Sequence, residues 1–150
     1  MNIESDFEEI MEYAHFWNWL PDWQIVKEIY TKFPDSYSIL TPFAYAYLEE
    51  VIRSTTSEYG KEIFDENGKR KWRSVGSNLI NLAIKENNNN QELVSILEEI
   101  KRYFKPSQPT DCGNNRGSVV HGYMHSRFWD KDSFDKLIQD IAKISKFAGF

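Results

Sequence analysis

The sequence predicts an all-α fold, an antiparallel bundle of about five to six helices with a short hairpin or loop insertion at residues 61–73. Three observations carry this prediction. Apolar residues recur at helical spacing through most of the chain, most regularly at Phe134, Leu137, Ile138, Ile141, Ile144, Ser145 and Ala148. Residues that start and stop helices punctuate these periodic runs. The connections are short, as neighbouring helices of a bundle require.

Taken in order, Ser5-x-x-Glu8 has the form of a capping box, opening a helix with Phe7, Ile10, Met11, Ala14 and Trp17 on its apolar face, which Pro21 stops. Asp22 is placed to cap a second helix carrying Trp23, Val26, Ile29, Tyr30 and Phe33 up to Pro34. Thr41-Pro42 joins a capping hydroxyl to a proline at the first helical position, where its missing N–H costs nothing. The third helix then runs to about Tyr59, ends at Gly60 and turns Glu49 and Glu50 away from the broad apolar face made by Phe43, Ala44, Tyr47, Leu48, Val51 and Ile52. Asp65-Glu-Asn-Gly68 signals a turn, and both a hairpin and an irregular loop fit it. A fourth helix over 75–85 buries Val75, Leu79, Leu82 and Ala83, and the four asparagines 87–90 end it. A fifth runs from Gln91 to about Phe104, before Pro106 and Pro109, and the last begins with Asp132 as its cap.

With 150 residues, 41% of them hydrophobic, the chain suits one domain spanning 1–150 with a single core. A net charge of −5 argues against a surface coated with cations for non-specific nucleic-acid binding. The lone cysteine, Cys112, excludes an internal disulfide, and no apolar run is long enough for a membrane span, so a cytoplasmic location and no membrane partner are expected. The one dense basic cluster is Lys69, Arg70, Lys71 and Arg73 around Trp72. Cations interleaved with an aromatic can hold an RNA backbone and stack a base, while a solvated loop with one buried tryptophan gives the same pattern. The aromatic run from His15 to Trp19 reads as core or dimer interface.

Between the last two long helices lies a polar, glycine-punctuated stretch, Asp111 to Asp130, holding Asn115-Arg116-x4-His121-Gly122. Histidine both takes and gives a proton near neutral pH, and a guanidinium grips two phosphate oxygens without deprotonating. The pair suits RNA transesterification without a metal or other cofactor. His121 would serve as general base on the ribose 2′-OH or general acid on the leaving 5′-oxygen, with Arg116 stabilising the charge of the transition state. Along a continuous helix, residues five apart diverge by about 140°. A shared site therefore needs a frayed helix start or completion by a second subunit.

These residues, ahead of the most periodic helix, resemble the HEPN superfamily of small helical bundles carrying Arg-x4-to-6-His near their last helices. The resemblance implies a metal-independent endoribonuclease of phage defence, toxin-antitoxin or RNA-processing systems, active as a homodimer on RNA, with an antitoxin or other partner protein in some systems. It assigns Arg116 and His121 as catalytic and Asn115 as a supporting residue. Gly117 departs from the polar residue that many active members place after the arginine, and other HEPN domains are non-catalytic interaction or nucleotide-binding modules. Two further readings start from the same stretch: a zinc set of Cys112, His121 and His125, and a Cys112 nucleophile activated by His121.

Overall fold

The computed structural model describes residues 2–150 and is an all-α helical bundle with one small hairpin. Among the described residues seven α-helices follow one another as α1 (Ile3–Tyr13), α2 (Leu20–Lys32), α3 (Tyr37–Ser54), α4 (Gly76–Glu86), α5 (Gln91–Ile100), α6 (Arg116–Val120) and α7 (Lys131–Ser145). Strands β1 (Ile63–Phe64) and β2 (Arg70–Lys71) lie between α3 and α4. The two long amphipathic helices α3 and α7 pack on each other, α1 and α5 cover α7, and α4 and the short α6 lean on α3. Their buried apolar side chains form one cluster, in which Trp23 meets Phe7, Phe43 and Tyr47 edge-on or tilted. Among the described residues no helix is long and apolar enough to cross a membrane.

Several boundaries differ from the sequence reading, each for a local reason. Asn2, not Ser5, caps α1 by accepting the Glu4 N–H, and α1 ends at Tyr13. Trp17 is therefore not on that helix but exposed in the turn that follows, while Trp19 packs against Phe43 and Tyr47. Pro21 opens α2 instead of stopping α1, and Asp22 sits in the first turn of α2. Thr41-Pro42 is inside α3, not at its start. The 3-10 turn Pro34–Ser36 feeds directly into Tyr37, and the Thr41 hydroxyl donates to the Tyr37 carbonyl at 2.7 Å beside the position where Pro42 lacks a donor. Helix α3 stops at Ser54, where the chain end closes over it: Gly149 N–H donates to Ser54 Oγ and the Phe150 ring meets Tyr47 and Tyr59. Val75 precedes α4 and is exposed, and its place in the core is taken by Ile80.

Helix α7 is capped by Asp130, two residues before the expected Asp132. Extended backbone at Asp130 turns its carboxylate onto the Ser133 N–H at 2.6 Å, which leaves Asp132 in the first turn. Burial alone would raise the Asp130 pKa, but hydrogen bonds from the Cys112 thiol and from Ser133 hold it below the usual carboxylate value. A carboxyl so lowered stabilises the fold above its ordinary pKa of about 3.9 and loses that contribution as the pH falls through its depressed value. Asp130→Asn keeps a capping oxygen but not the charge. Its stability deficit relative to wild type should therefore narrow between pH 6 and pH 3 in urea titrations, and a deficit constant with pH would show that the charge contributes nothing.

Candidate functional site

The segment leading into α6 is held by side chains rather than by secondary structure. Asn115 is the N-cap, with its Oδ1 accepting from the Ser118 N–H at 2.9 Å and from the Ser107 hydroxyl at 3.2 Å, and its Nδ2 donating to the Lys105 carbonyl at 2.7 Å. The Tyr45 hydroxyl donates to the Gly113 carbonyl at 3.0 Å, and Asp130 N–H donates to the Cys112 carbonyl at 2.9 Å. Gly113 has φ +94°, and a Cβ there would stand 3.0 Å from the Trp129 Cβ, so both conformation and space call for glycine. At the other end His121 is the C-cap and Gly122, at φ +63°, follows in the left-handed conformation that terminates helices. Asn115 and Gly122 thus delimit a helix of five residues, with Arg116 in its first position and His121 just beyond its last.

Arg116 is mostly covered. Its Nη2 donates to Glu49 Oε2 of α3 at 2.7 Å, while its buried Nε has no hydrogen-bond partner. Glu49 does not point away from the site, as its position beside Glu50 suggests. Its other oxygen accepts the Gly76 N–H at 3.0 Å, so one carboxylate joins Arg116 to the start of α4. No signal within the α3 sequence marks this role, because the partner is 67 residues away. His121 is exposed and its imidazole makes no hydrogen bond among the described residues. Arg116 and His121 therefore occupy opposite ends of α6 and are not brought into contact within one chain. Gly117 lies beneath Ser107, whose hydroxyl oxygen would be 2.9 Å from any Cβ at that position.

A cleft of about 800 Å³ is lined by Arg102, Lys105, Asp111, Asn115, Asp130 and Lys136 among others, but not by Arg116 or His121. Much of its charge is committed: Arg102 and Lys136 reach the buried Asp140, and Asp111 accepts the Gln108 N–H.

The zinc reading is not supported by the geometry. Among the described residues no three His, Cys, Asp or Glu side chains converge on a point where a metal could sit, so Cys112, His121 and His125 are not a ligand set. His125 instead accepts the Arg127 N–H and caps a 3-10 turn. Cys112 lies 3.6 Å from the Ser133 hydroxyl, and its pKa is raised by hydrogen bonding to Asp130 and by burial, which disfavours the thiolate a nucleophile needs.

The insertion at 61–73 is a hairpin, with Ile63 opposite Lys71 and Phe64 opposite Arg70. Asp65 makes the turn by accepting the Asn67 and Lys69 N–H groups at 2.9 Å, with Gly68 in the left-handed region. Trp72 is 93% exposed, which corrects the reading of a buried loop tryptophan. Arg73 donates to the Lys61 carbonyl, Arg70 stands 3.4 Å from Glu62, and neither Lys69 nor Lys71 has an ion-pair partner among the described residues. Comparison with known families, curated proteins and solved structures finds no match to this chain.

Proposed function

We propose that the chain is a metal-independent endoribonuclease of HEPN type whose site is completed by a second copy. The observation that carries this reading is the short helix α6. Its first residue is an arginine and its C-cap an unpartnered, exposed histidine, with the exposed apolar side chains Val120, Tyr123 and Phe128 close by in the chain. Apolar surface around a polar residue is the usual sign of an interface. A two-fold partner would cover it and bring His121 of one copy toward Arg116 of the other.

In the reaction His121 takes the proton of a ribose 2′-OH or protonates the departing 5′-oxygen. The 2′-oxygen bonds to phosphorus as the 5′-oxygen leaves, giving a 2′,3′-cyclic phosphate and a 5′-hydroxyl. Arg116 neutralises the phosphorane's added charge, held in place by Glu49 and by the Asn115 cap. Deoxyribose lacks the nucleophile, so DNA should survive. The Lys69, Arg70, Lys71, Trp72 and Arg73 hairpin supplies RNA affinity. A toxin, phage-defence or RNA-processing role in the cytoplasm, with an antitoxin or other partner protein, completes the proposal.

A homodimer is the first expectation, checked by light scattering at tens of micromolar. A monomer under those conditions counts against the composite site. Single-turnover cleavage by wild type and His121→Ala tests the activity itself. One observation favours the other reading, a non-catalytic helical module: the Arg116 guanidinium is already neutralised by Glu49. On that reading wild type binds partners but cuts no RNA.

A further inference from the structure

The Lys61–Arg73 hairpin combines features that a solvated turn does not need. Phe64 and Arg70 are register partners and so share one face of the ribbon, and Trp72 follows two residues after Arg70 as the strand leaves the pair. Phe64 and Trp72 are both exposed, Trp72 at 93% the most exposed of the large apolar side chains among the described residues. Five cations stand against three carboxylates between Lys61 and Arg73 in a chain of net charge −5. Of those cations Arg70 and Arg73 are engaged locally, whereas Lys69 and Lys71 are free among the described residues.

We propose that this hairpin selects unpaired RNA, Trp72 stacking on the face of one base while Lys69 and Lys71 hold the phosphates beside it. The choice of RNA as ligand rests on the ribonuclease reading above. The choice of an unpaired segment rests on the hairpin itself. An A-form duplex keeps its base faces stacked within the helix and offers an exposed indole nothing to cover it, whereas loops, bulges and single strands do. The hairpin is also wired to the candidate site. Its exit is held by Glu58 on the Ser74 N–H and hydroxyl, by Arg53 on the Ser74 carbonyl and by Glu49 on the Gly76 N–H, and Glu49 is the residue that grips Arg116. A strand seated on Trp72 is thereby anchored to the structure that positions Arg116.

The test measures binding apart from cleavage, using His121→Ala protein and a fluorescein-labelled RNA 12-mer of mixed sequence, single-stranded or annealed to its complement. The single strand should bind more tightly than the duplex. Adding Trp72→Ala should weaken single-strand binding about 5- to 150-fold, leave duplex binding nearly unchanged, and be largely rescued by Trp72→Phe. Lys69→Glu with Lys71→Glu should flatten the slope of log affinity against log salt by about 1.4 or more. Equal single-strand affinity with and without Trp72 overturns the proposal, as does a preference for duplex. Loss of self-association in Trp72→Ala with RNA affinity intact also overturns it, placing the hairpin at a protein interface. The two readings separate cleanly: wild type that cuts RNA with a KM unaffected by Trp72→Ala keeps the ribonuclease and removes this site. Trp72-dependent single-strand binding without any cleavage keeps this site and removes the ribonuclease.

Discussion

Replacing His121 with alanine should slow single-turnover RNA cleavage about 10²- to 10⁴-fold, the usual contribution of a positioned general acid or base. The structure makes this a clean experiment. The His121 imidazole is exposed and makes no hydrogen bond among the described residues, so the fold does not depend on a bond from it and circular dichroism should be unchanged. Arg116→Lys should also be severe, because an ammonium cannot reproduce the bidentate grip of a guanidinium on phosphate. It is a less clean variant, since it also disturbs the Glu49 contact that ties α6 to α3 and α4. His125→Ala and Cys112→Ser should cost little, and cleavage should persist in excess EDTA. If wild type cuts no RNA on a mixed panel, or His121→Ala cuts equally well, the ribonuclease reading is lost and the non-catalytic module replaces it.

How far the chain could be read from its residues depended on whether the determining interaction was local. The face of α7 was legible because Phe134, Leu137, Ile138, Ile141 and Ile144 repeat at 3.6-residue spacing and all are buried. The Asp65–Gly68 turn was legible too, since Asp and Gly shape it through bonds within five residues, whereas the pairing of Ile63 with Lys71 and Phe64 with Arg70 that makes it a hairpin was not. Capping was misread where a second capping residue stands close by: Asn2 caps α1 where Ser5 was expected, and Asp130 caps α7 where Asp132 was expected. Thr41-Pro42 failed because packing of Leu40, Thr41 and Ala44 extends α3 backwards through a proline whose local preference is to start a helix. At the candidate site, Asn115 and Gly122 stood out as the residues flanking the Arg116–His121 pair, but their roles as cap and terminator of α6 depend on contacts to Ser107 and Lys105 and on backbone conformation that the motif does not encode. Glu49 was not, because its partners Gly76 and Arg116 are 27 and 67 residues away and no periodicity encodes such a meeting. The exposure of Trp72 was equally hidden, as a tryptophan among cations reads alike whether it is packed or bare.

Asp140→Ala should produce the largest loss of stability from a single polar side chain, about 3 kcal/mol, by breaking a buried ionic cluster. Asp140 is 1% exposed, and on its two oxygens converge Arg102, the Tyr103 hydroxyl at 2.7 Å and Lys136 at 2.8 Å, with Lys143 at 3.5 Å. Burial and the neighbouring carboxylate both raise the Tyr103 pKa, which keeps that hydroxyl a donor. Removing the carboxylate leaves the buried hydroxyl without its acceptor, whereas the partly exposed cations regain water, so the cost falls toward the lower end for a broken buried pair. With a slope of roughly 2 kcal/mol per molar urea, the midpoint should fall by about 1–2 M. Asp140→Asn retains an oxygen for Tyr103 and should lose less. The cluster fastens the 3-10 turn after α5 to α7, and from that turn the chain runs on to Lys105, whose carbonyl holds the Asn115 cap. Loosening it should therefore speed hydrogen exchange at Ser118, whose N–H the Asn115 side chain accepts, before the helices of the core exchange. A urea midpoint within about 0.3 M of wild type, with Ser118 exchange unchanged, would mean that the cluster neither stabilises the bundle nor positions α6.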